Sequence, residues 1–184
     1  MEATDILMEE HRIIERVLSA LETQARRLQA GSPVRPGFFL DATSFFRNFI
    51  DGCHHRKEEE SFFMAMMDAG LSNQTGPVAI MIAEHEQGRE YTRAMEKAAR
   101  ALAGGQSSAR DDLTRTTLEY VALLRQHIRR ENNLLFKMAE QLIPPARQKE
   151  LTEEFERIER EEIGAGIHEK YYRLAEAMEK EASA

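Results

Sequence analysis

The chain has 184 residues, 42% of them hydrophobic and 31% charged, with a formal net charge of -7. That length suffices for one domain with a sizeable core. The acidic balance argues against a nucleic-acid surface, which relies on an excess of Lys and Arg to neutralise phosphates. A single cysteine, Cys53, cannot close an internal disulfide, and no basic-then-apolar leader opens the sequence. The longest clean apolar run, residues 78–83, is too short to span a bilayer. Together these features predict a cytoplasmic protein with no membrane partner.

In chain order, breaks at "GSPVRPG" (31–37), "AGLSNQTGP" (69–77), "GGQSS" (104–108) and "PP" (144–145) divide the sequence into five helical segments. Strand signals are lacking. The first segment carries Leu7, His11, Ile14, Leu18, Leu21, Ala25 and Leu28 on one stripe. In the second, Phe46, Ile50, His54, Glu58 and Phe62 recur at steps of four. Pro77 opens the third segment, whose stripe is Met81, His85, Gly88, Thr92, Met95, Ala99 and Leu102. Ser108 and Asp111 resemble a capping box before the fourth, which carries Leu113, Thr117, Tyr120, Leu124, His127, Glu131, Leu134 and Met138. Such stripes face a shared core. Short connections between long helices predict an all-α, up-down-up-down four-helix bundle over 1–143. A further helix over 145–181 packs on it, weakened or kinked by "GAG" at 164–166, and the whole of 1–184 is a single domain.

Each of the four bundle stripes holds a histidine where a leucine belongs. Two of them, His54 and His127, have a glutamate one turn later, Glu58 and Glu131. Residues four apart lie on one helix face, so each pair reaches the same centre. Burying unpaired imidazoles and carboxylates costs several kcal/mol. A metal offsets these costs together, and two bridging glutamates would hold two ions with imidazoles as terminal ligands. Mixed imidazole and carboxylate donors suit iron or manganese better than a closed structural zinc site.

The stretches "HHRKEEESFF" (54–63) and "HIRRENNLLF" (127–136), with "EEH" (9–11) and "AEHEQGR" (83–89), resemble the hemerythrin-like HHE cation-binding family over residues up to about 140. The resemblance implies two non-heme iron ions (Fe2+/Fe3+), with an oxo or hydroxo bridge among their states. It carries over His11, His54, Glu58, His85, His127 and Glu131 as metal ligands. One departure stands out. Oxygen carriers have His-x-x-x-His in the third helix, whereas Arg89 follows His85 by four and Met81 precedes it by four, which leaves one iron short of an imidazole. The fourth helix also carries His-x-x-x-Glu where carriers have a longer His-to-Asp spacing. Simple reversible oxygen carriage is therefore in doubt.

His55, about 100° round an ideal helix from His54, reads either as a flank residue paired with a carboxylate or as an extra ligand. His168, inward on a stripe with Tyr171, Ala175 and Met178, reads either as a packed histidine or as the missing ligand or gate. Lys57, Arg129 and Arg130 read as a solvated basic face, and Glu59 and Glu60 as solvated or ligand-orienting groups. Glu15, one turn after His11, reads either as a partner of that ring or as an exposed residue. Cys53 reads as core packing next to a ligand, with a redox role as the alternative. Gly88 and Thr92 read as small residues that leave room for a ligand.

Three functions fit these residues. A di-iron protein would bind oxygen, peroxide or nitric oxide for sensing, storage or stress response. A di-iron enzyme would remove peroxide or nitric oxide, or donate iron for iron–sulfur cluster repair. A helical interaction module would hold a structural metal, but six convergent ligands exceed what one such ion needs. A ferritin-like carboxylate protein fits less well, because that fold pairs Glu with His at a step of three. The partners expected are a small diatomic or peroxide ligand and a second copy in a homodimer.

Overall fold

The computed structural model describes residues 2–163 and 167–184, with the side chains of all but 162, 163, 167 and 168. The described residues are helical, without strands. Helix α1 is Ala3–Gln29, α2 runs over 36–68, α3 is Gly76–Ala103, α4 runs over 109–142, α5 is Pro145–Ile163 and α6 is Ile167–Ser183. The expected break at 164–166 and the orientation of the His168 side chain fall outside the described residues.

Local chemistry sets the ends. Asp5 accepts from the Glu2 backbone N–H at 2.9 Å, which ties down the start of α1. At its close Gly31 takes φ +80°, and the Ser32 N–H reaches the Arg27 carbonyl at 3.0 Å. Gly105 (φ +89°) does the same after α3, where the Gln106 N–H donates to Ala101. Only a residue without a Cβ enters this turn cheaply. Pro77 lies in the first turn of α3 as expected. The capping box at Ser108 does not form: Ser108 is itself in a helical conformation and makes no side-chain cap. Tight turns from Ala109 to Gln106 and from Arg110 to Ser107 start α4 instead.

Helices α2 and α4 are not uniform. Phe46–His54 and Glu58–Phe62 in α2, and Glu131–Leu135 in α4, are wide π turns with i→i+5 hydrogen bonds. In an ideal α-helix a stripe at steps of four drifts by about 40° per step. Wide turns carry one more residue each and take up that drift. Phe46, Ile50, His54, Glu58 and Phe62 consequently all stay buried. The same device shifts the phase of α4 by one residue after Glu131. Leu135 is therefore buried where the ideal stripe points to Leu134, which is 53% exposed.

Helices α1 to α4 touch in succession, and α4 closes the ring back onto α1. Two apolar clusters fill the interior. One gathers Ile13–Leu28 of α1, Phe38–Ile50 of α2, Met95–Ala99 of α3 and Leu113–Ile128 of α4. The other gathers Ala3 and Leu7, Phe62–Met66, Val78 and Met81, and Leu135–Ile143. Thus α1 and α3 run from the second cluster to the first, and α2 and α4 run the other way. The motif histidines and glutamates fall in the layer between. Helix α5 packs Leu151 and Phe155 into the second cluster, and α6 packs Tyr171, Ala175 and Met178 into the first. No helix among the described residues is long and apolar enough to cross a membrane.

Candidate metal centre

All six motif residues meet in that layer, each at most 2% exposed. Glu58 directs one oxygen to His54 Nε2 (3.5 Å) and the other to His85 Nε2 (3.3 Å). Glu131 Oε2 lies 3.2 Å from both His11 Nε2 and His127 Nε2. The Nε2 atoms of His11 and His54 are 3.0 Å apart, and those of His85 and His127 are 3.1 Å apart. Among the described residues, two groups in this layer have donor atoms close enough together to hold a metal ion. One is His11, His54, Glu58 and Glu131; the other is His55, Glu58, His85 and His127. Glu58 belongs to both.

His55 is the fifth imidazole. It is 3% exposed, its ring stacks on His85 with centroids 3.7 Å apart, and its Nε2 is buried without a hydrogen-bond partner. The wide turn ending at His54 hangs the His55 amide on the Ile50 carbonyl, five residues back. Ideal helix geometry, which would swing His55 to the flank, does not apply there. His55 Nδ1 is paired with a carboxylate, Asp51, as one half of the sequence reading expects, while the ring lies inside the layer rather than on the flank.

The opposite nitrogens explain the convergence. Each Nδ1–H donates outward: His11 to Asn132 Oδ1 (2.9 Å), His54 to Glu10 (2.8 Å), His55 to Asp51 (2.9 Å), His85 to Glu59 (2.7 Å) and His127 to Glu84 (3.1 Å). This fixes the tautomer so that five Nε2 lone pairs point inward. There they face four glutamate oxygens that have no hydrogen-bond partner. Acceptors crowded against acceptors at 3.0–3.5 Å in a dry interior repel one another unless cations or protons stand between them. The donor set therefore fits a pair of metal ions.

The outer acceptors are held in turn by cations. Lys57 bonds Glu10, Arg130 bonds Glu84, and Arg89 bonds Glu59 (2.6 Å) and approaches Asp51 (3.4 Å). Arg89, which stands where carriers place a histidine, thus steadies the partners of His55 and His85. Lys57 corrects the sequence expectation of a solvated face: its side chain is 0% exposed and also bonds Glu159 of α5. Arg129 is exposed as expected, and Glu15 pairs with Arg125 rather than His11. Glu60 pairs with Arg56 at the surface.

The two halves repeat. Glu10-His11 matches Glu84-His85, and His54 with Lys57, Glu58 and Glu59 matches His127 with Arg130, Glu131 and Asn132. The phenylalanine nine residues after each motif histidine completes the pattern. Phe63 stacks on His85, and Phe136 stacks on His11. The glutamate before each lone histidine, visible in "EEH" and "AEH", was the sequence signal for the outer acceptors. Gly88 and Thr92 are faced by Tyr120, whose ring lies 3.8 Å from where a Gly88 Cβ would be, so an aromatic ring occupies the expected opening.

Charge follows this geometry. Burial opposes a charge on His54 and His127, but Glu58 and Glu10 around the first, and Glu131 and Glu58 around the second, outweigh it and raise both pKa values. Burial likewise works against ionising Glu131, yet His127 and His11 hold its carboxyl well below the usual range. Burial and the neighbouring rings of His85, His54 and His127 keep His55 neutral. Burial lifts Asp51 to about 6 and the Cys53 thiol to about 12, which disfavours the reactive thiolate. In the metal-free chain, protons on His54 and His127 stand in for metal. Their contribution to stability is fully present below the ordinary histidine value and is lost as pH rises through the raised values. Metal must displace these protons, so the rise in melting temperature on metal loading is expected to grow from neutral to mildly alkaline pH. Melting curves of metal-free and metal-loaded protein across that range check this. A gain that shrinks with pH refutes it.

An all-α bundle with buried His/Glu clusters that could hold metal at mid-height points to a metal-binding helical domain. The chain belongs to the hemerythrin HHE cation-binding domain family, whose model matches residues 2–139. It is also similar to uncharacterized proteins of Mycobacterium bovis and of two Mycobacterium tuberculosis strains. Each is 26% identical over 162 residues, 88% of this chain and 63% of theirs. The chain thus spans just under two thirds of the length of these relatives. No solved structure matches.

Proposed function

We propose that this protein holds two iron ions in the central layer and binds or reduces a small oxidant or diatomic ligand there: oxygen, peroxide or nitric oxide. The observation that carries the reading is the set of five inward Nε2 atoms facing four unpartnered carboxylate oxygens. Glu58 and Glu131 would bridge the two ions, His11 and His54 would serve one, and His55, His85 and His127 would serve the other. Imidazole and carboxylate without thiolate favours iron over structural zinc. An iron pair would supply the electrons for reducing a bound oxidant.

The chain's own residues set where that happens. One donor group offers three imidazoles and the other two, so an ion held by His11 and His54 would have more room for an exogenous ligand. Phe62, Phe63 and Phe136 wall the layer on one side and keep bulk water out. The carboxylates bonded to four of the five rings raise the basicity of the Nε2 ligands and favour the more oxidised ions.

Metal analysis of protein loaded with Fe2+ without oxygen, followed by its optical spectrum before and after exposure to oxygen, peroxide and nitric oxide, tests the reading. About two irons per chain and a new absorption band with at least one ligand are expected. A single zinc, or iron with an unchanging spectrum, would sink it.

A further inference from the structure

The repeat described above has one asymmetry outside the metal layer. In each half a cation three residues after the motif histidine bonds the carboxylate that receives that histidine's Nδ1–H. In the second half this is Arg130–Glu84–His127, and Arg130 is 38% exposed. In the first half it is Lys57–Glu10–His54, and Lys57 is 0% exposed. The difference is α5. This helix lies beyond the stretch matched to the family. It buries Leu151, Phe155 and Ile158 completely, and it contributes Glu159 as a second carboxylate on Lys57. The ring of Phe155 sits 5.9 Å from the ammonium.

We infer that α5 is a positioning element for the His11/His54 metal position, with Glu159 acting on His54 through Lys57 and Glu10. The inference rests on the two-metal reading given above. A buried ammonium requires compensation by anions. Glu10 shares that task with Glu159 and so leaves Oε2 on the His54 ring, while Oε1 takes Lys57. Without Glu159 the charge of Lys57 falls mainly on Glu10, which is drawn off the imidazole. The ring then loses orientation and basicity, and its Nε2 binds metal less well. Coupling of this kind is reciprocal. Metal that fixes His54 also fixes Glu10 and Lys57, and thereby tightens α5 against the bundle. The His11/His54 position is thus tied to a helix outside the four-helix bundle.

The group Glu10, Cys53 and Glu159, which by distance alone resembles a third metal site, has the same explanation. Its cation is the Lys57 ammonium.

The test uses the full chain as wild type, Glu159→Ala, Glu159→Gln and, as a control on an exposed carboxylate of the same helix, Glu156→Ala. Co2+ titrations followed by visible absorption report the two positions separately from any activity. Glu159→Ala is expected to weaken one position about tenfold and leave the other near wild type. Glu159→Gln, which still accepts from Lys57, should fall between, and Glu156→Ala should match wild type. Amide hydrogen exchange over 145–163 supplies the reciprocal readout. Metal loading should increase protection there in wild type and not in Glu159→Ala, whereas a purely structural role would lower protection equally with and without metal. Unchanged Co2+ affinities in Glu159→Ala, or an equal gain of protection, overturns the coupling alone. A wild-type chain that binds no pair of ions overturns the metal reading beneath it.

Discussion

Glu58→Ala is expected to reduce iron content from about two ions per chain to about none, because one carboxylate serves both positions. Its two oxygens face His54 on one side and His85 on the other, so no other side chain can replace both contacts. Glu131→Ala should behave alike, since its Oε2 lies equally close to His11 and His127. Glu60→Ala, which removes a carboxylate two residues away that pairs with Arg56 at the surface, should retain both ions. Metal analysis of the three variants prepared side by side decides the matter. Full iron in Glu58→Ala, or none in Glu60→Ala, would show that the helix phase read from the structure is wrong.

The second large effect concerns the fifth imidazole. With His55→Ala, a position shaped for three imidazoles keeps only two, and one of the two iron affinities is expected to fall by more than about 100-fold while the other stays near wild type. Asp51→Asn keeps the ring but exchanges its charged acceptor for an amide, and should weaken iron binding by about 10- to 100-fold without abolishing it. Iron titrations with a competing chelator distinguish the two. His168→Ala is the informative comparison, because the sequence offers His168 for the same role. If His168→Ala weakens one position that far and His55→Ala keeps both affinities, the assignment of His55 is refuted.

Much of this molecule was legible in the sequence because it depends on neighbours along the chain. Helix boundaries follow from glycine and proline at turns that other residues enter only at a cost. The stripes of α1 and α3 are buried as their spacing requires, save Leu102, which is half-buried. The pairs His54/Glu58 and His127/Glu131 share a face because residues one turn apart must. Six acceptors on four apolar stripes were enough to point to one buried polar layer.

What depended on tertiary structure was of another kind. Ideal helix geometry sends His55 to the flank and Leu134 to the core, and wide turns reverse both; such turns persist because packing against the other helices rewards the shifted phase. The acceptors of the five rings come in most cases from a different helix, and spacing within one helix cannot pair them. Lys57 looks like any lysine in a charged run. Only the helix laid over it, with Phe155 above and Glu159 beside it, turns that lysine into a buried cation joined to a ligand of the candidate metal centre. Sequence periodicity reports which way a side chain points from its own axis. What it meets there is decided by helices many residues away, whose placement follows from burying the apolar surface of the whole bundle.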